Sequence, residues 1–265
     1  MKKVISICFG AVILLSAFSP WVNTKTTLRT VVIDAGHGGK DPGCIGHGNN
    51  VFEKDISLRV ALKLGQMLKD SLKDVKVVYT RTTDKFVELW ERAAIANKNN
   101  ADIFVSIHCN ASTSGTIHGS ETYVMGLHKN QGNLNVSKRE NSAILMEDDY
   151  EKNEEYSGFD PNSNEAHIIF SLYQSAFRNQ SLQLASSVQK YIGEKNLRKN
   201  LGVKEAGFLV LWKTAMPSIL VETGFLTNPD DKVFLQSETG QKELARTVML
   251  AVKDYKSQLD KDNSQ

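Results

Sequence analysis

Apolar and polar residues follow one another along the chain in blocks that predict strands and helices in turn. Thr30–Asp34 is a short apolar strand that runs into a glycine-rich loop over residues 35–52. From Glu53 onward, apolar side chains recur at steps of three and four residues, which predicts an amphipathic helix. Val75–Thr80 is the next predicted strand, and Val87–Asn97 is the next predicted helix.

The second half of the chain continues this alternation after one interruption. Further strands are predicted at Asp102–Ile107, Glu121–Met125, Phe208–Leu211 and Ser218–Glu222, and further helices at Leu182–Ile192 and about 238–258. Strands that alternate with helices are typical of an α/β fold with a largely parallel or mixed sheet. We therefore expect one α/β domain over residues 28–260.

The interruption is a polar segment that begins near residue 129. Residues 138–165 carry nine acidic side chains against three basic ones. Within the segment, Val136–Met146 is predicted to form a short helix. Loops of this length inside a compact domain are usually functional or disordered. The segment is therefore expected to be a surface insertion, either a solvated acidic loop or a functional element.

The amino terminus has the layout of a secretory signal peptide. Lys2 and Lys3 precede an uncharged run from Val4 to Phe18, and a short basic region before such a run is typical of export signals. The run is shorter than the ~20 apolar residues that a transmembrane helix usually needs. We expect residues 1–20 to be a signal peptide and the protein to be exported, with an uncleaved anchor as the alternative.

Composition and charge exclude some classes of function. The 265 residues are 41% hydrophobic and 23% charged, as in ordinary soluble globular proteins. Lys2 and Lys3 account for the excess of 32 basic over 30 acidic side chains. A nearly neutral mature chain argues against a nucleic-acid-binding surface. Cys44 and Cys109 remain after the first twenty residues, and they can be either a disulfide or two free thiols.

Side chains that can bind a metal stand where predicted strands end. His37 follows the first strand in DAGHGG, His108 ends a strand in VSIHCN, and Glu222 ends a strand in ILVETGF. Glu53 opens the helix after the glycine-rich loop. Because functional groups in open α/β sheets gather at the carboxyl ends of strands, we expect these four side chains to converge.

Two imidazoles and one carboxylate can hold zinc and leave a fourth position for water. A further carboxylate nearby can then act as general base and general acid. The spacing alone leaves a structural interpretation open, in which the histidines are ordinary hydrogen-bonded polar residues. In that interpretation Glu53 only favours the helix amino terminus, and Glu222 is only a buried, hydrogen-bonded acid.

Five segments together resemble those of the zinc-dependent N-acetylmuramoyl-L-alanine amidases. The resemblance runs from about residue 30 to 258, with an interruption at about 129–177, which we call the insertion. The segments are VVIDAGHGGKDPG, the EKD at 53–55, the TR at 80–81, SIHCN and ILVETGFLTN. Their joint occurrence in this order is specific, although any one of them alone would be weak.

The resemblance implies one Zn²⁺ per chain, bound by His37, Glu53 and His108, with Glu222 as the catalytic carboxylate. It implies a single α/β domain with a central mixed sheet flanked by helices. The implied reaction is hydrolysis of the amide between N-acetylmuramic acid and L-alanine in peptidoglycan. An exported enzyme of this kind would act in the periplasm or cell envelope, and we expect a monomer.

The insertion carries a further implication of the resemblance. Some amidases of this family, from Gram-negative bacteria, have an insertion after the strand equivalent to 121–125, and an acid of its helix occupies the open zinc position. The matching place here suggests Glu140 as an autoinhibitory zinc ligand, with Glu147 as the second candidate. A carboxylate in that position excludes the catalytic water, so a protein activator would switch the enzyme on by displacing it.

Other polar residues support weaker expectations. Asn110 follows His108 by two and is expected to hydrogen-bond substrate or a ligand. Arg81 and Arg92 are expected to anchor loops or form ion pairs, and Cys109 to face the core. The remaining histidines have no strand-end partners that would mark them as ligands: His47, His118, His128 and His167.

Two other classes of function stay open at this point. One is a catalytically inactive peptidoglycan-binding protein that keeps the fold. The other is an exported zinc peptidase that acts on stem peptides, because the same metal chemistry serves any amide.

Overall fold

A computed structural model of the protein describes residues 27–46, 48, 51–156, 158–172, 176–194 and 198–262. The predicted signal peptide at residues 1–20 and His47 lie outside the described residues. Within the described ranges, none of the helices has the length and apolar character that a membrane crossing requires.

The described residues form a single domain around a six-stranded mixed sheet. The strands are β1 (Thr30–Ala35), β2 (Lys76–Tyr79), β3 (Ile103–Asn110), β4 (Ser120–Met125), β5 (Asn200–Ala206) and β6 (Ser218–Phe225). Their spatial order is β2-β1-β3-β6-β4-β5. The first four in this order are parallel, whereas β4 is antiparallel to β6 and parallel to β5. The predicted fold class is therefore confirmed.

Helices cover both faces of the sheet. The described α-helices are α1 (Glu53–Ser71), α2 (Leu89–Lys98), α3 (Gln131–Asn141), α4 (Asn164–Ser171), α5 (Arg178–Glu194), α6 (Leu209–Trp212), α7 (Pro229–Gln236) and α8 (Glu238–Asp262). Helices α1, α5 and α8 close a core on one face, and α2, α6 and the insertion close a core on the other. The apolar residues whose spacing predicted α1 form its buried face: Ile56, Val60, Leu64 and Leu68.

Side-chain alternation along the strands assigns the candidate residues to one face. In β3, Ile103, Val105 and Ile107 belong to the first core, whereas Phe104 belongs to the second. Because successive strand residues point to opposite faces, His108 lies on the second face, toward the insertion. The same alternation places Glu222 of β6 on that face.

One predicted strand is wrong, and one strand of the structure was not predicted. Phe208–Leu211, predicted as a strand, is the start of the short helix α6, so that prediction is wrong. A four-residue apolar run cannot distinguish a buried strand from a buried helix, because both bury every position. The strand beside β4 is instead β5, whose first five residues are partly or fully exposed and therefore lack a strong apolar pattern.

The insertion is a packed part of the domain. It contains α3, three 3₁₀ turns (Ser142–Met146, Tyr150–Lys152 and Glu154–Tyr156) and α4. The helix predicted at Val136–Met146 therefore begins earlier, at Gln131, and continues as a 3₁₀ turn from Ser142. Buried residues of the insertion complete the second core, which excludes a merely solvated loop: Val136, Ala143, Ile144, Tyr156 and Phe170.

Candidate metal centre

The loop after β1 presents His37, and two buried arginines hold this loop in place. Arg81 donates to the carbonyl oxygens of Ala35 at 2.8 Å and Gly36 at 2.7 Å. Arg92 donates to the His37 carbonyl at 2.9 Å and to the Asp34 carboxylate at 2.8 Å. His37 itself has a left-handed backbone with φ of 59°. Both arginines anchor the loop, as expected from the sequence.

Two glycines allow the loop and the ligands to approach each other closely. A Cβ at Gly36 would lie 2.4 Å from the His108 ring. A Cβ at Gly43, whose φ is +65°, would lie 2.7 Å from Oε2 of Glu53. Real side chains are not found at such distances, so these two positions require glycine.

Four buried side chains meet at the carboxyl ends of β1 and β3. His37, Glu53, His108 and Glu140 each direct one potential ligand atom to a common point, and these atoms lie within 4.8 Å of one another. Oε1 of Glu53 is 3.0 Å from Nε2 of His37 and 3.0 Å from Nδ1 of His108. The structure thus brings together the three predicted zinc ligands and the predicted capping residue.

Glu140 completes the group from the insertion. Its Oε2 is 3.1 Å from Nε2 of His37 and 3.0 Å from Nδ1 of His108. The second candidate, Glu147, lies elsewhere. Its carboxylate accepts from the backbone N–H of Leu89 at 2.7 Å and from the hydroxyl of Tyr156 at 2.5 Å, so it ties the insertion to α2.

The residues at this point fit a divalent metal ion. Nε2 of His37 and Oε2 of Glu140 are buried, and outside the close contacts within this group of four they have no hydrogen-bond partner among the described residues. Buried polar atoms normally have hydrogen-bond partners, so these two atoms need an explanation. Two imidazole nitrogens and two carboxylate oxygens are ligands that zinc accepts in tetrahedral sites.

The ligand side chains are oriented by their outer atoms. Nδ1 of His37 is 2.7 Å from the Asp41 carboxylate, and Glu53 accepts from the backbone N–H groups of Cys44 and Cys109, each at 2.8 Å. Carboxylate partners of this kind fix the orientation of metal-binding histidines. Asp41 was missed in the sequence, although it stands four residues after His37 in the same loop.

The carboxylates favour positive charge on the two rings. Burial lowers the pKa of His108, but the neighbouring carboxylates, Glu140 above all, outweigh burial and raise this pKa to about 9. Burial likewise opposes the charged form of His37, whereas Glu53 and Asp41 raise its pKa well above the usual value. The same negative field favours a bound cation at this point.

Glu222 stands beside the ligand group but is not part of it. It is fully buried in the interior of β6, three residues before the end of the strand and not at its end. Its Oε1 is 3.4 Å from Nη2 of Arg139, and its Oε2 has no hydrogen-bond partner in the described ranges. Burial and the negative charge of Glu140 raise the pKa of Glu222 well above its usual range.

Arg139 links the insertion to both carboxylates and was also missed in the sequence. Its Nε donates to Glu140 at 2.9 Å, and its Nη2 donates to Oδ1 of Asn110 at 3.0 Å. Asn110 is therefore in the site, where its Nδ2 donates to Glu121 at 2.7 Å. The sequence signal was an arginine directly before the predicted capping residue.

The remaining candidates lie outside the group. Cys109 belongs to the first core, as predicted, and it and Cys44 are free thiols. The Cys44 thiol donates to the carbonyl of Cys109 at 3.2 Å. Among the histidines without strand-end partners, His118, His128 and His167 contact other groups, at Thr116, Ser171 and Pro161.

The family of the chain follows from this arrangement and from comparison with known proteins. Residues 31–254 match the family model described as N-acetylmuramoyl-L-alanine amidase. The chain belongs to this amidase family. The match spans His37, Glu53, His108, Glu222 and the insertion.

Three related proteins show how much of their length is shared with this family member. It is 31% identical over 227 residues to the N-acetylmuramoyl-L-alanine amidase AmiC of Escherichia coli, covering 85% of this chain but about half, 52%, of that protein. It is 31% identical to AmiA of E. coli, covering 86% of this chain and 76% of AmiA. It is also 33% identical to YqiI of Bacillus subtilis, covering 87% and 86% of the two chains.

Solved structures of the family have the same fold. An N-acetylmuramoyl-L-alanine amidase from Clostridium difficile superimposes with a TM-score of 0.63 at 31% identity, covering 86% of this chain and 97% of the other. The catalytic domain of CwlV from Paenibacillus polymyxa also gives a TM-score of 0.63, at 29% identity and with 86% and 98% coverage.

Proposed function

We propose that this family member is a zinc-dependent hydrolase that cuts the amide between N-acetylmuramic acid and L-alanine in peptidoglycan. The observation that carries the proposal is the convergence of His37, Glu53 and His108 at one buried point beside Glu222. Family membership supplies the substrate class. The predicted export signal supports a place in the periplasm or cell envelope, and we propose a monomer.

The ligand residues have defined parts in the proposed reaction. His37, Glu53 and His108 would hold one Zn²⁺. When bound, zinc supplies Lewis acidity that polarises the scissile carbonyl and lowers the pKa of water to about 7. Asp41 keeps the His37 ring in place through Nδ1, so that Nε2 faces the ligand point.

Glu222 is the proposed proton carrier. Its free Oε2 can take the proton of the attacking water and deliver it to the departing alanine nitrogen, which is general base and general acid catalysis by one carboxylate. Burial supports this part, because a carboxyl group in a low-polarity site holds a proton more readily than one in water.

We further propose that the closed position of the insertion is an inhibited state. Glu140 lies within 3.1 Å of both imidazoles, where it would take the fourth zinc position and exclude the attacking water. A protein activator that displaces α3 would open the site. Glu147 accepts from the backbone N–H of Leu89, and Asn141 donates to the carbonyl of Gly207. These contacts with the rest of the domain support a defined closed position of the insertion.

Product analysis on purified sacculi tests the proposed reaction. The proposal predicts soluble stem peptides with a new L-alanine amino terminus and glycan strands that stay intact. Fragments cut within the stem peptide would favour the zinc peptidase. If both the wild type and a variant lacking the Glu140 carboxylate bind sacculi but release no stem peptide, the inactive binding protein would be favoured.

A further inference from the structure

The guanidinium of Arg139 occupies a small nest of oxygen acceptors beside Glu222. Its Nη1 donates to the carbonyl of Ala111 at 3.0 Å, and its Nη2 to Oδ1 of Asn110 at 3.0 Å. Glu140 and Glu222 balance its positive charge: Nη2 lies 2.8 Å from Oε1 of Glu140 and 3.4 Å from Oε1 of Glu222. The two neutral acceptors, Asn110 and Ala111, belong to the catalytic domain and not to the insertion.

Glu121 fixes the direction in which Asn110 presents its acceptor. Glu121 is opposite Glu222 in the antiparallel pair of β4 and β6, and it is buried. It accepts from Nδ2 of Asn110 at 2.7 Å, from the Tyr123 hydroxyl at 2.7 Å and from the Lys204 ammonium. With its amide nitrogen held by Glu121, Asn110 can direct only its carbonyl oxygen toward the site.

An open groove leads away from these acceptors. It has a volume of about 610 Å³, and Asn110, Ala111 and Arg139 line it together with the apolar Ile117 and Leu201. Extended peptides bind in such grooves through main-chain hydrogen bonds. A peptide that entered it would bring its backbone past the acceptors that Arg139 now holds.

We propose that Oδ1 of Asn110 and the carbonyl of Ala111 form a subsite for N–H groups of the stem peptide, and that Arg139 fills this subsite in the closed state. Glu121 is then a positioning residue that acts through Asn110. The inference rests on the proposed function, because the stem peptide leaves on the side where Glu222 delivers its proton.

The two acceptors of the proposed subsite, Oδ1 of Asn110 and the carbonyl of Ala111, carry no net charge. The charge of Glu121 is already paired with Lys204, so the acceptors that point into the groove are an amide and a peptide carbonyl. Such acceptors match peptide N–H groups, and each bond of this kind stabilises a complex by about 0.5–1.5 kcal/mol.

A donor and acceptor exchange tests the positioning role. The variants Asn110→Asp, Glu121→Gln and their double combination are made in the full chain carrying Arg139→Ala, which vacates the subsite, and Glu140→Ala, which removes the carboxylate that closes the candidate metal centre. Asn110→Asp should raise KM for muramoyl-L-alanyl-D-isoglutamine about tenfold, because two carboxylates then face each other. Adding Glu121→Gln should bring KM back to within about threefold, because the glutamine amide can donate to the aspartate, as one hydrogen bond of this energy implies.

Controls separate this effect from general damage. Asn179→Asp adds the same charge at an exposed position of α5 that does not line the groove, and it should leave KM unchanged. Zinc content and melting temperature should match across the set. An unchanged KM in Asn110→Asp, or a double variant that is folded and zinc-loaded but not rescued, would overturn the subsite.

Failure of the proposed function can be distinguished from failure of the subsite. If no variant cleaves the compound, the amidase assignment fails, and the Kd for the same compound, from calorimetry on the same variants, tests the subsite. The same order is expected for binding: Asn110→Asp weakens it, the double variant restores it and Asn179→Asp leaves it unaffected. Equal Kd values throughout would overturn the subsite independently of catalysis.

Discussion

His108 of β3 and Glu222 of β6 are direct partners in the parallel register of these two strands. A ligand imidazole and the free carboxylate therefore stand side by side on one rigid face of the sheet. Sites held on strands are more precise than sites on loops. The sheet therefore holds His108 and Glu222 in place, whereas His37 comes from the loop after β1 and Glu140 from α3 of the insertion.

Removing the capping carboxylate should activate the enzyme. Glu140→Ala in the full chain should raise basal release from purified sacculi by about tenfold, within the roughly 5–150-fold range typical of coupling between two states. A point substitution is preferable to deleting the insertion, because the insertion covers the second core. The measurement is the initial rate of L-alanine amino-terminus formation without an activator.

The matched control is Glu154→Ala, which removes an exposed acid of the same insertion. It should leave the rate unchanged. Equal rates for the wild type and Glu140→Ala, with zinc present in both, would show that Glu140 does not inhibit.

Asp41 should tune metal affinity without touching the metal. Asp41→Asn weakens the partner of Nδ1 of His37, and the loss of such outer partners typically costs about 10–100-fold in affinity. Competition with a chelator measures this. The control Asp84→Asn changes a neighbouring carboxylate that binds Gly39 and Lys54; an equal loss in both variants would contradict a specific role for Asp41.

Asp34 should make stability depend on acid pH. Although burial opposes its charge, Arg92 and the hydroxyls of Ser106 and Thr80 hold the pKa of Asp34 below 3.8 in the folded protein. Its stabilisation is therefore complete above the unfolded value, near 3.8, and is lost as pH falls through the lower folded value.

Asp34→Asn should lower the free energy of unfolding by about 3–5 kcal/mol at pH 7, because it leaves Arg92 buried without its charged partner. The difference in free energy of unfolding between Asp34→Asn and the wild type should narrow below pH 3.8. Urea unfolding over a pH series measures both, with the exposed Asp149→Asn as control. A difference that stays constant down to pH 3 would show that the Asp34 charge is not what stabilises the loop.

Much of the fold could be predicted because its signals are local. The buried stripe of α1 has a helical period, and β1 and β3 are short apolar runs next to polar loops. The edge strand β5 was missed since an edge strand buries fewer side chains. Helix α7 was also missed, although Asn228 caps it and Pro229 is its first residue, a known start signal.

The convergence of His37, Glu53 and His108 could be predicted because the strand ends and the motifs agree. Asp41 and Arg139 could not be found in this way, since their roles depend on distances between loops that no periodicity records. The place of Glu121 depends on the antiparallel register of β4 and β6. That pairing joins strands with about one hundred residues between them, so the sequence alone does not show it.

The most direct test of the account is zinc content measured together with activity on sacculi for wild type, His108→Ala and Glu222→Gln, each also made with Glu140→Ala to open the site. The account predicts about one zinc per chain in wild type and Glu222→Gln, as a single catalytic site would hold, and little zinc in His108→Ala. Among the chains that carry Glu140→Ala, it predicts full activity only where His108 and Glu222 are both intact, with Glu222→Gln lower by about 10²–10⁴-fold. Full activity of Glu222→Gln, or zinc retained at wild-type affinity in His108→Ala, would contradict it.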